Sequence, residues 1–331
     1  MSLGIPYMWS KRGIAKQIVQ NIVHDNPSIK YVYDLFGGGG AMSMEFLKYD
    51  NIEKVHYNEI NTGVAELLRY LQKNGVTPEM YNFVNRETFM DHKNDPTWYG
   101  WFVKTCYSFG NNGRNYIFWK DKEKEKELAH NVVVFRKESD IIALEEMLWL
   151  KIGRHIFDIK DLHERRIAFC SFARGDKMRY WQEWLINVDS LETVSKQIKR
   201  LDQKGEIQTL ENIQNLEVIS DNLRKRYYIE SLERLESLER LEISNLSYDE
   251  VIIDTPPEET ILYLDPPYEW TAKYSNWLDH EKLKDWVRNS KYKIYLSEYK
   301  SEFREVASYP KRCTLSGTAN NLAIEKLFTN Q

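Results

Sequence analysis

Apolar residues recur along the chain with two different periods, and these periods alternate near both ends of the sequence. After Ser10, isoleucines recur every fourth residue through 14–22, which predicts a capped amphipathic helix. Short apolar runs at Tyr31–Phe36 and Lys54–Ile60 predict two strands, and the segment between them has a glycine-rich turn and a helical pattern. Strand, turn, helix and strand in this order predict the start of a doubly wound α/β sheet.

This alternation lapses between about residues 95 and 245 and then returns. The returning strands are predicted in "ILYLD", "YKIYLSEY", "RCTLS" and "LAIEKLF". Just before them, the duplicated "SLERLESLERLE" of Ser231–Glu242 predicts a short exposed helix. We therefore predict a discontinuous sheet domain, 1–94 and 246–331, interrupted by a mostly helical inserted domain, 95–245.

Composition narrows the class of protein. The chain has 331 residues, 42% hydrophobic and 29% charged, and a net charge of −4, which is typical of a globular protein. No apolar run reaches the roughly 20 residues of a membrane span. Three scattered cysteines indicate a reducing, cytoplasmic location rather than a disulfide framework or a zinc site. The segment 151–226 carries 15 Lys and Arg against 12 Asp and Glu, which is weak evidence for a polyanionic partner.

The stretch "DLFGGGG", Asp34–Gly40, ends the first predicted strand. A phosphate-binding loop would continue with Lys and Ser or Thr, whereas Ala41–Ser43 follows, and the third glycine of a dinucleotide fingerprint is missing. A nucleoside without phosphates fits this turn better, with Phe36 as apolar cover. Glu59 follows about twenty residues later, at the position where an acid binds ribose hydroxyls in such folds.

A second candidate site is "YLDPPYEW", where an acid and two prolines end an apolar strand. The carboxylate of Asp265 and the carbonyl of Pro266 can both accept hydrogen bonds from one exocyclic amine. Pro266 and Pro267 hold the turn, and Tyr268 can stack on the ring that carries the amine. This chemistry works by positioning and preorganised electrostatics and needs no metal.

Asp-Pro-Pro-Tyr after a strand, downstream of a Phe-x-Gly-x-Gly turn and a large insertion, resembles the Dam-type, alpha-group DNA adenine-specific methyltransferases. That family has relatives in phages and restriction–modification systems. The resemblance implies a Rossmann-like sheet with helices on both faces. It also implies S-adenosyl-L-methionine as cofactor, and methylation of the 6-amino group of an adenine flipped out of duplex DNA. The implied catalytic residues are Asp265, Pro266, Pro267 and Tyr268.

Three more segments extend the resemblance. "IPYMWSKRG" is similar to the family's opening motif, "HYNEIN" to its ribose-binding segment, and "TCYSFGNNGRNY" to the start of its recognition region. The resemblance and the glycine turn together imply these cofactor-binding residues: Tyr7, Lys11, Asp34, Phe36, Gly38, Gly40, Asn58, Glu59 and Asp265. Predicted DNA contacts, several in basic stretches with aromatic neighbours, are Asn111, Arg114, Arg174, Arg224, Lys225 and Arg226.

The sequence leaves other functions open. One is methylation of another amine, in cytosine, RNA or a protein glutamine, and Asp265 counts against it because Ser or Asn would be favoured there. A second is a catalytically inactive DNA-binding relative, and the intact motifs count against it. A nicotinamide-dependent oxidoreductase is a poorer third alternative. The predicted partners are double-stranded DNA and a candidate cognate restriction endonuclease, and a monomer is favoured.

Overall fold

The structure is a computed structural model that describes residues 5, 7, 10–109, 112–148, 152–162, 164–169, 238–268, 278–312 and 322–331. The chain forms two compact units. Unit 1 comprises Met1–Val76, Asp95–Thr105 and Tyr228–Gln331, and unit 2 comprises Thr77–Asn94 and Cys106–Tyr227. Each unit is therefore built from segments that are not consecutive in the sequence.

Unit 1 contains a seven-stranded sheet built from the described residues. Its strands are β1 (Tyr31–Asp34), β2 (Lys54–Asn58), β3 (Leu241–Ser244), β4 (Thr260–Leu264), β5 (Lys293–Glu298), β6 (Arg304–Arg312) and β7 (Leu322–Thr329). Their order is β3-β2-β1-β4-β5-β7-β6. The first five strands in this order run parallel, and β7 is antiparallel to both of its neighbours. The mostly parallel sheet confirms the Rossmann-like α/β architecture that the sequence predicts.

Helices precede, connect and follow these strands. They are α1 (Ala15–Asp25), α2 (Ala41–Phe46), α3 (Thr62–Asn74), α4 (Pro78–Tyr81), α5 (Arg86–His92), α6 (Trp98–Cys106), α7 (Glu123–Phe135), α8 (Glu138–Leu148) and α9 (His280–Asn289). Within the part of the chain that the structure describes, no helix is both long and apolar enough to cross a membrane.

Helices cover both faces of the sheet. On one face, Leu283 and Val287 of α9 share a buried cluster with Leu262 and Leu264 of β4. On the opposite face, the amide of Asn26, which caps the end of α1, donates to the hydroxyl of Tyr295 at 2.7 Å. All five residues of β4 are buried, as expected for a central strand that is covered on both sides.

The register of β1 and β4 determines where the candidate motifs meet. The two strands are parallel neighbours, and Asp34 pairs with Tyr263. The glycine turn after Asp34 and the turn that begins at Asp265 therefore leave adjacent strands at the same edge of the sheet. Connections diverge at this point, because β2 follows β1 on one side and β5 follows β4 on the other. Such a switch point is where open α/β sheets bind ligands.

Two details at the edges of the sheet differ from the sequence prediction. The end of the duplicated Ser-Leu-Glu-Arg-Leu-Glu segment forms a 3-10 turn and β3, and β3 pairs with β2. The prediction of an exposed helix is therefore wrong at 238–242, because strand pairing outweighs the helical propensity of Leu and Glu. The rest of the predicted helix, 231–237, lies outside the described residues.

The second detail is β6, which covers Arg304–Arg312 and so lies before the predicted "RCTLS" strand except for Arg312. Pro310 lies within β6, and the edge position tolerates it because one side of an edge strand needs no donor. Residues 313–316 of the predicted "RCTLS" strand lie outside the described residues.

The N-terminal helix begins later than predicted. Ser10 caps a 3-10 turn, Lys11–Gly13, by accepting from the backbone N–H of Arg12, and α1 starts only at Ala15. Lys11 therefore lies in a 3-10 turn before the helix, and its side chain is buried within unit 1.

Unit 2 has its own apolar core. Buried residues of α7 and α8, among them Leu128, Val132 and Leu144, pack with Ile156 and Phe169. The bounds of the two units differ from the predicted ones. Two parts of the predicted insertion, Asp95–Thr105 and 228–245, belong to unit 1, whereas Thr77–Asn94, predicted in the sheet domain, belongs to unit 2.

A hairpin-like loop at 107–117 also belongs to unit 2. Ser108 and Tyr116 form an antiparallel bridge, and the backbone N–H of Phe109 donates to the carbonyl of Asn115 at 2.9 Å. Gly113 in this loop has φ +66°, a conformation that favours glycine. The loop projects Phe109, which is 63% exposed, and the exposed Arg114.

Candidate active site

The glycine turn after β1 needs its glycines for two reasons. Gly38 and Gly40 have φ values of +49° and +75°, a region that strains other residues. At Gly37 the constraint is space, since a Cβ atom there would lie 2.2 Å from Cε2 of Tyr57. The backbone N–H of Gly37 donates to the carbonyl of Asn58 at 2.8 Å and so ties the turn to the end of β2.

An N-terminal segment lies against the other side of this turn. The backbone N–H of Ile5 donates to the carbonyl of Gly39 at 2.7 Å, and a Cβ on Gly38 would lie 3.3 Å from the ring of Tyr7. The hydroxyl of Tyr57 donates to the carbonyl of Gly38 at 2.6 Å. These contacts bring Tyr7, predicted from the opening motif, next to the glycine turn.

Glu59 follows β2 directly and bridges two loops with its carboxylate. Oε2 accepts from the backbone N–H of Gly38 at 2.8 Å, and Oε1 accepts from that of Asn61 at 2.9 Å. Burial raises the pKa of Glu59, and these two hydrogen bonds offset part of the rise. Each carboxylate oxygen has two lone pairs, so both can accept a further hydrogen bond from a hydroxyl.

The side chain of Asn58 is buried and makes four hydrogen bonds. Its amide donates to the carbonyls of Leu35 and Leu246, and its oxygen accepts from the hydroxyl of Ser244 and the N–H of Leu246. Of the two adjacent polar residues, Asn58 thus joins β1, β2 and β3, whereas Glu59 is the residue that reaches the glycine turn.

Asp34 is the buried last residue of β1. Its Oδ2 accepts a hydrogen bond from the hydroxyl of Ser43 in α2 at 2.6 Å. Burial raises the pKa of Asp34 to about 7, the Ser43 bond opposes this rise, and the nearby charges of Asp265 and Glu59 add to it. Burial is the main cause of this shift, and the neighbouring carboxylates add to it.

Phe36 lies between the end of β1 and the glycines and is partly exposed. One of its faces stacks on Tyr248, with ring centroids 5.4 Å apart. This contact fixes the ring at the edge of the sheet, as apolar cover for a bound ring would require.

Asp265 is held by a buried cation. Nζ of Lys11 lies 2.7 Å from Oδ1 of Asp265 and 3.1 Å from Oε1 of Glu325. It also donates a short hydrogen bond to the hydroxyl of Tyr268, and that hydroxyl donates to Oε1 of Glu325 at 2.6 Å. Lys11 and Glu325 are 3% and 1% exposed in their side chains, and Asp265 is 20% exposed. We call Lys11, Asp265, Tyr268 and Glu325 the lysine cluster.

The two carboxylates of the lysine cluster raise the pKa values of both Lys11 and Tyr268. Burial lowers the pKa of Lys11, but the two carboxylates raise it by more, so the pKa is above its ordinary value and the amine is charged at neutral pH. Burial, followed by the charges of Asp265 and Glu325, raises the pKa of Tyr268, so its hydroxyl keeps its proton. The ring of Tyr268 is 8% exposed and lies 4.6 Å, centroid to centroid, from that of Tyr299.

The predicted site residues divide into two groups. Those of unit 1 gather around the ends of β1, β2 and β4: Tyr7, Lys11, Asp34, Phe36, Gly38, Gly40, Asn58, Glu59, Asp265, Pro266, Pro267 and Tyr268. Of the predicted DNA contacts, Arg114 is exposed on the hairpin-like loop of unit 2. The others, Asn111, Arg174, Arg224, Lys225 and Arg226, lie outside the described residues.

Sequence reasoning missed Glu325. In "LAIEKLF" it stands two residues before the buried Leu327, and strand alternation places both on one face of β7. An acid at an inward position is the signal that could have identified it.

A glycine turn after the first strand, an acid after the second and Asp-Pro-Pro-Tyr after the fourth together define a methyltransferase that acts on an amino group. The model of the D12 class N6 adenine-specific DNA methyltransferase family matches residues 7–142 and 174–328. The chain belongs to this family, and it is an enzyme that methylates adenine in DNA. Enzymes of this family use S-adenosyl-L-methionine. A search of curated proteins finds no match.

Proposed function

We propose that this enzyme methylates the 6-amino group of an adenine that has left duplex DNA, within a specific sequence, at the edge where β1 and β4 end. The observation that carries the proposal is the partly exposed Asp265 carboxylate beside the glycine turn, on adjacent parallel strands. An adenine amino group is paired inside a duplex, so the base has to flip out to reach such an edge.

The chemistry of the edge fits the cofactor. S-adenosyl-L-methionine supplies a methyl group on a positively charged sulfur, and the carboxylates of Asp34, Glu59 and Asp265 lie close enough for their charges to interact. Neighbouring carboxylates favour a cationic ligand. We propose that the cofactor is held by Tyr7, Lys11, Asp34, Phe36, Gly38, Gly40, Asn58, Glu59 and Asp265, with Glu59 accepting from the ribose hydroxyls.

In this proposal Asp265 and Pro266 hold the target amine. A carboxylate offers about four lone-pair sites, and Lys11 takes one of them, so the same group can accept from the amine. Two acceptors, Asp265 and the Pro266 carbonyl, favour the pyramidal amine and aim its lone pair at the methyl group. S-adenosyl-L-methionine, when bound, would supply the methyl group to this lone pair, and the electron pair of the broken carbon–sulfur bond would stay on sulfur.

The nitrogen becomes positively charged in this step, and the negative charge of Asp265 stabilises it. The proton leaves the nitrogen after the transfer, either to Asp265 or to water, so no strongly perturbed base is needed. Pro267 holds the turn together with Pro266. Tyr268 is proposed to stack on the flipped adenine, a contact that an aromatic ring makes with any base.

We propose that unit 2 recognises the DNA. Support comes from the hairpin-like loop, where the cationic Arg114 and the aromatic Phe109 are both exposed. Cationic and aromatic side chains on one surface suit contacts to phosphates and bases. The same role is proposed for the remaining predicted contacts: Asn111, Arg174, Arg224, Lys225 and Arg226. Further proposals from the family resemblance are a cytoplasmic location, a monomer and a cognate restriction endonuclease as partner.

Neutralising Arg224, Lys225 and Arg226 together is expected to weaken DNA binding. Each lost phosphate contact should flatten the slope of log affinity against log salt concentration by up to about 0.9, because fewer counterions are released. Fluorescence anisotropy of a labelled duplex at several salt concentrations measures the slope. The matched control neutralises three basic residues of α9 in unit 1, namely Lys282, Lys284 and Arg288. An unchanged slope in the first triple variant would remove this basic cluster from the interface.

Replacing Glu59 with alanine is expected to weaken the binding of S-adenosyl-L-methionine and leave DNA affinity nearly intact. Loss of a charge-assisted hydrogen bond to ribose should cost about 1.5–3 kcal/mol. Isothermal calorimetry with the cofactor measures the change, and Glu53→Ala, in an exposed loop before β2, is the control for removing a carboxylate. Wild-type cofactor affinity in the Glu59→Ala protein would count against the ribose assignment.

A further inference from the structure

Glu325 is a buried acid with no role in the function described so far. It lies on the antiparallel strand β7, opposite Tyr309 of the edge strand β6, and it is 1% exposed. Its position is remote in sequence from every predicted motif, yet the fold brings it to the turn that carries Asp265 and Tyr268.

Stability alone gives no reason for an acid at this position. Burying a carboxylate costs several kcal/mol unless all of its oxygens are well paired, and an apolar side chain of similar size is often as good or better. Glu325 is only half satisfied: Oε1 takes two partners, while Oε2 is buried and has no hydrogen-bond partner among the described residues. A buried carboxylate in this state calls for a functional explanation.

The two partners of Oε1 supply that explanation. One is the hydroxyl of Tyr268, which donates at 2.6 Å, and the other is Nζ of Lys11 at 3.1 Å. Lys11 is at the same time 2.7 Å from Asp265. One buried cation is therefore shared between two carboxylates, and one of these is the group proposed to hold the target amine.

Because Glu325 shares the Lys11 ammonium, Asp265 presents a stronger negative potential to the target amine. If Lys11 faced Asp265 alone, the full charge of the ammonium would oppose the positive charge that develops on the amine. Glu325 balances part of that charge, so Asp265 keeps more of its negative potential for the reacting nitrogen. At the same time it holds Tyr268 by its hydroxyl and so fixes the turn that begins at Asp265.

We propose that Glu325 is a positioning residue for methyl transfer, acting through Lys11 and Tyr268 and not by contact with either substrate. This inference rests on the proposed roles of Asp265 and Tyr268. It adds to them a residue from the antiparallel strand β7.

The test is Glu325→Gln, which keeps the shape of the side chain and an oxygen for Tyr268 but removes the charge that Lys11 shares. Single-turnover methylation of duplex DNA is expected to slow at least 10-fold. KM for DNA and for S-adenosyl-L-methionine should stay within about twofold, since neither substrate is touched. The matched control is Glu305→Gln on the same hairpin of strands, where the lost carboxylate pairs with Lys326 at the surface, at 2.6 Å.

A pH profile separates positioning from a merely structural role. Lys11 is faced by Asp265, Tyr268 and Glu325, and losing the charge of Glu325 makes its ammonium easier to deprotonate. The charged amine holds both Asp265 and the hydroxyl of Tyr268 by hydrogen bonds, so its deprotonation releases the turn that positions the target amine. The rate of Glu325→Gln should therefore fall at lower alkaline pH than the rate of the wild type. The inference would be overturned if Glu325→Gln had the wild-type rate and lost activity over the same alkaline pH range as the wild type. It would also be overturned if the slower rate were explained entirely by weaker binding of both substrates or by a lower Tm.

Tyr268→Phe tests the hydrogen bond between Tyr268 and Glu325, and it serves as the test of the inference if Glu325→Gln does not fold. It removes the hydroxyl that Glu325 accepts from but keeps the ring proposed to stack on the base, and it is expected to slow the transfer several-fold. A wild-type rate in Tyr268→Phe overturns the inference in that case. An active Asp265→Ala enzyme would instead contradict the proposed function itself, so the two failures are distinguishable.

Discussion

Replacing Asp265 with alanine is expected to lower the single-turnover rate of methyl transfer by at least about 10²–10³-fold, the usual effect of removing one preorganised group at a developing charge. The fold should survive, because Asp265 is 20% exposed in its side chain and Lys11 keeps Glu325 as a partner. Transfer of a labelled methyl group to duplex DNA measures the rate, and circular dichroism checks the fold.

Two results would contradict this expectation. One is a stable Asp265→Ala protein with the wild-type rate, since the amine would then be held elsewhere. The other is an unfolded Asp265→Ala protein, which would mean that the acid serves the core and not the substrate. Asp254→Ala, on the connection before β4, is a matched control for losing an aspartate in this unit, and it should keep the wild-type rate.

Replacing Lys11 with methionine is expected to cost about 3–5 kcal/mol of unfolding free energy, because the buried carboxylate of Glu325 and that of Asp265 then lose their common cation. Methionine fills a similar volume, so the lost unfolding free energy comes from the missing charge and not from a cavity. Urea unfolding at pH 7 measures it. Lys30→Met, which breaks an exposed pair with Glu259 at 2.9 Å, is the control and should change stability far less.

The pH dependence of this difference follows from the raised pKa of Lys11. A raised pKa means that the stabilisation by the charged amine is fully present below the ordinary value of 10.5 and is lost as pH rises through the higher folded-state value. The free-energy difference between wild type and Lys11→Met should therefore be flat on the alkaline side of neutrality up to that range. A difference that disappears between pH 7 and 9 would mean that Lys11 is not charged in the folded protein.

Much of the sheet could be predicted from local sequence. The apolar run of β4 ends at Asp265-Pro-Pro, and the run of β1 ends at glycines, so hydrophobic pattern and backbone chemistry agree at both strands. The register of these strands then brings the two motifs to one edge. Local signals sufficed there because each motif lies directly at the end of the strand that positions it.

The lysine cluster could not be predicted in the same way. Lys11 and Asp265 are 254 positions apart, and no periodicity links residues at that separation. Glu325 depends in addition on the antiparallel insertion of β7 between β5 and β6, which the sequence does not indicate. Likewise β3 is specified by pairing with β2 and not by its own repeat, which has the composition of a helix.

The most direct test of the account is to sequence, with detection of N6-methyladenine, the DNA of cells that produce either the wild-type enzyme or Asp265→Ala. We expect N6-methyladenine within one short sequence in the first DNA and none in the second, with both proteins present at similar levels. Equal N6-methyladenine in both would contradict the claim that methyl transfer takes place at Asp265.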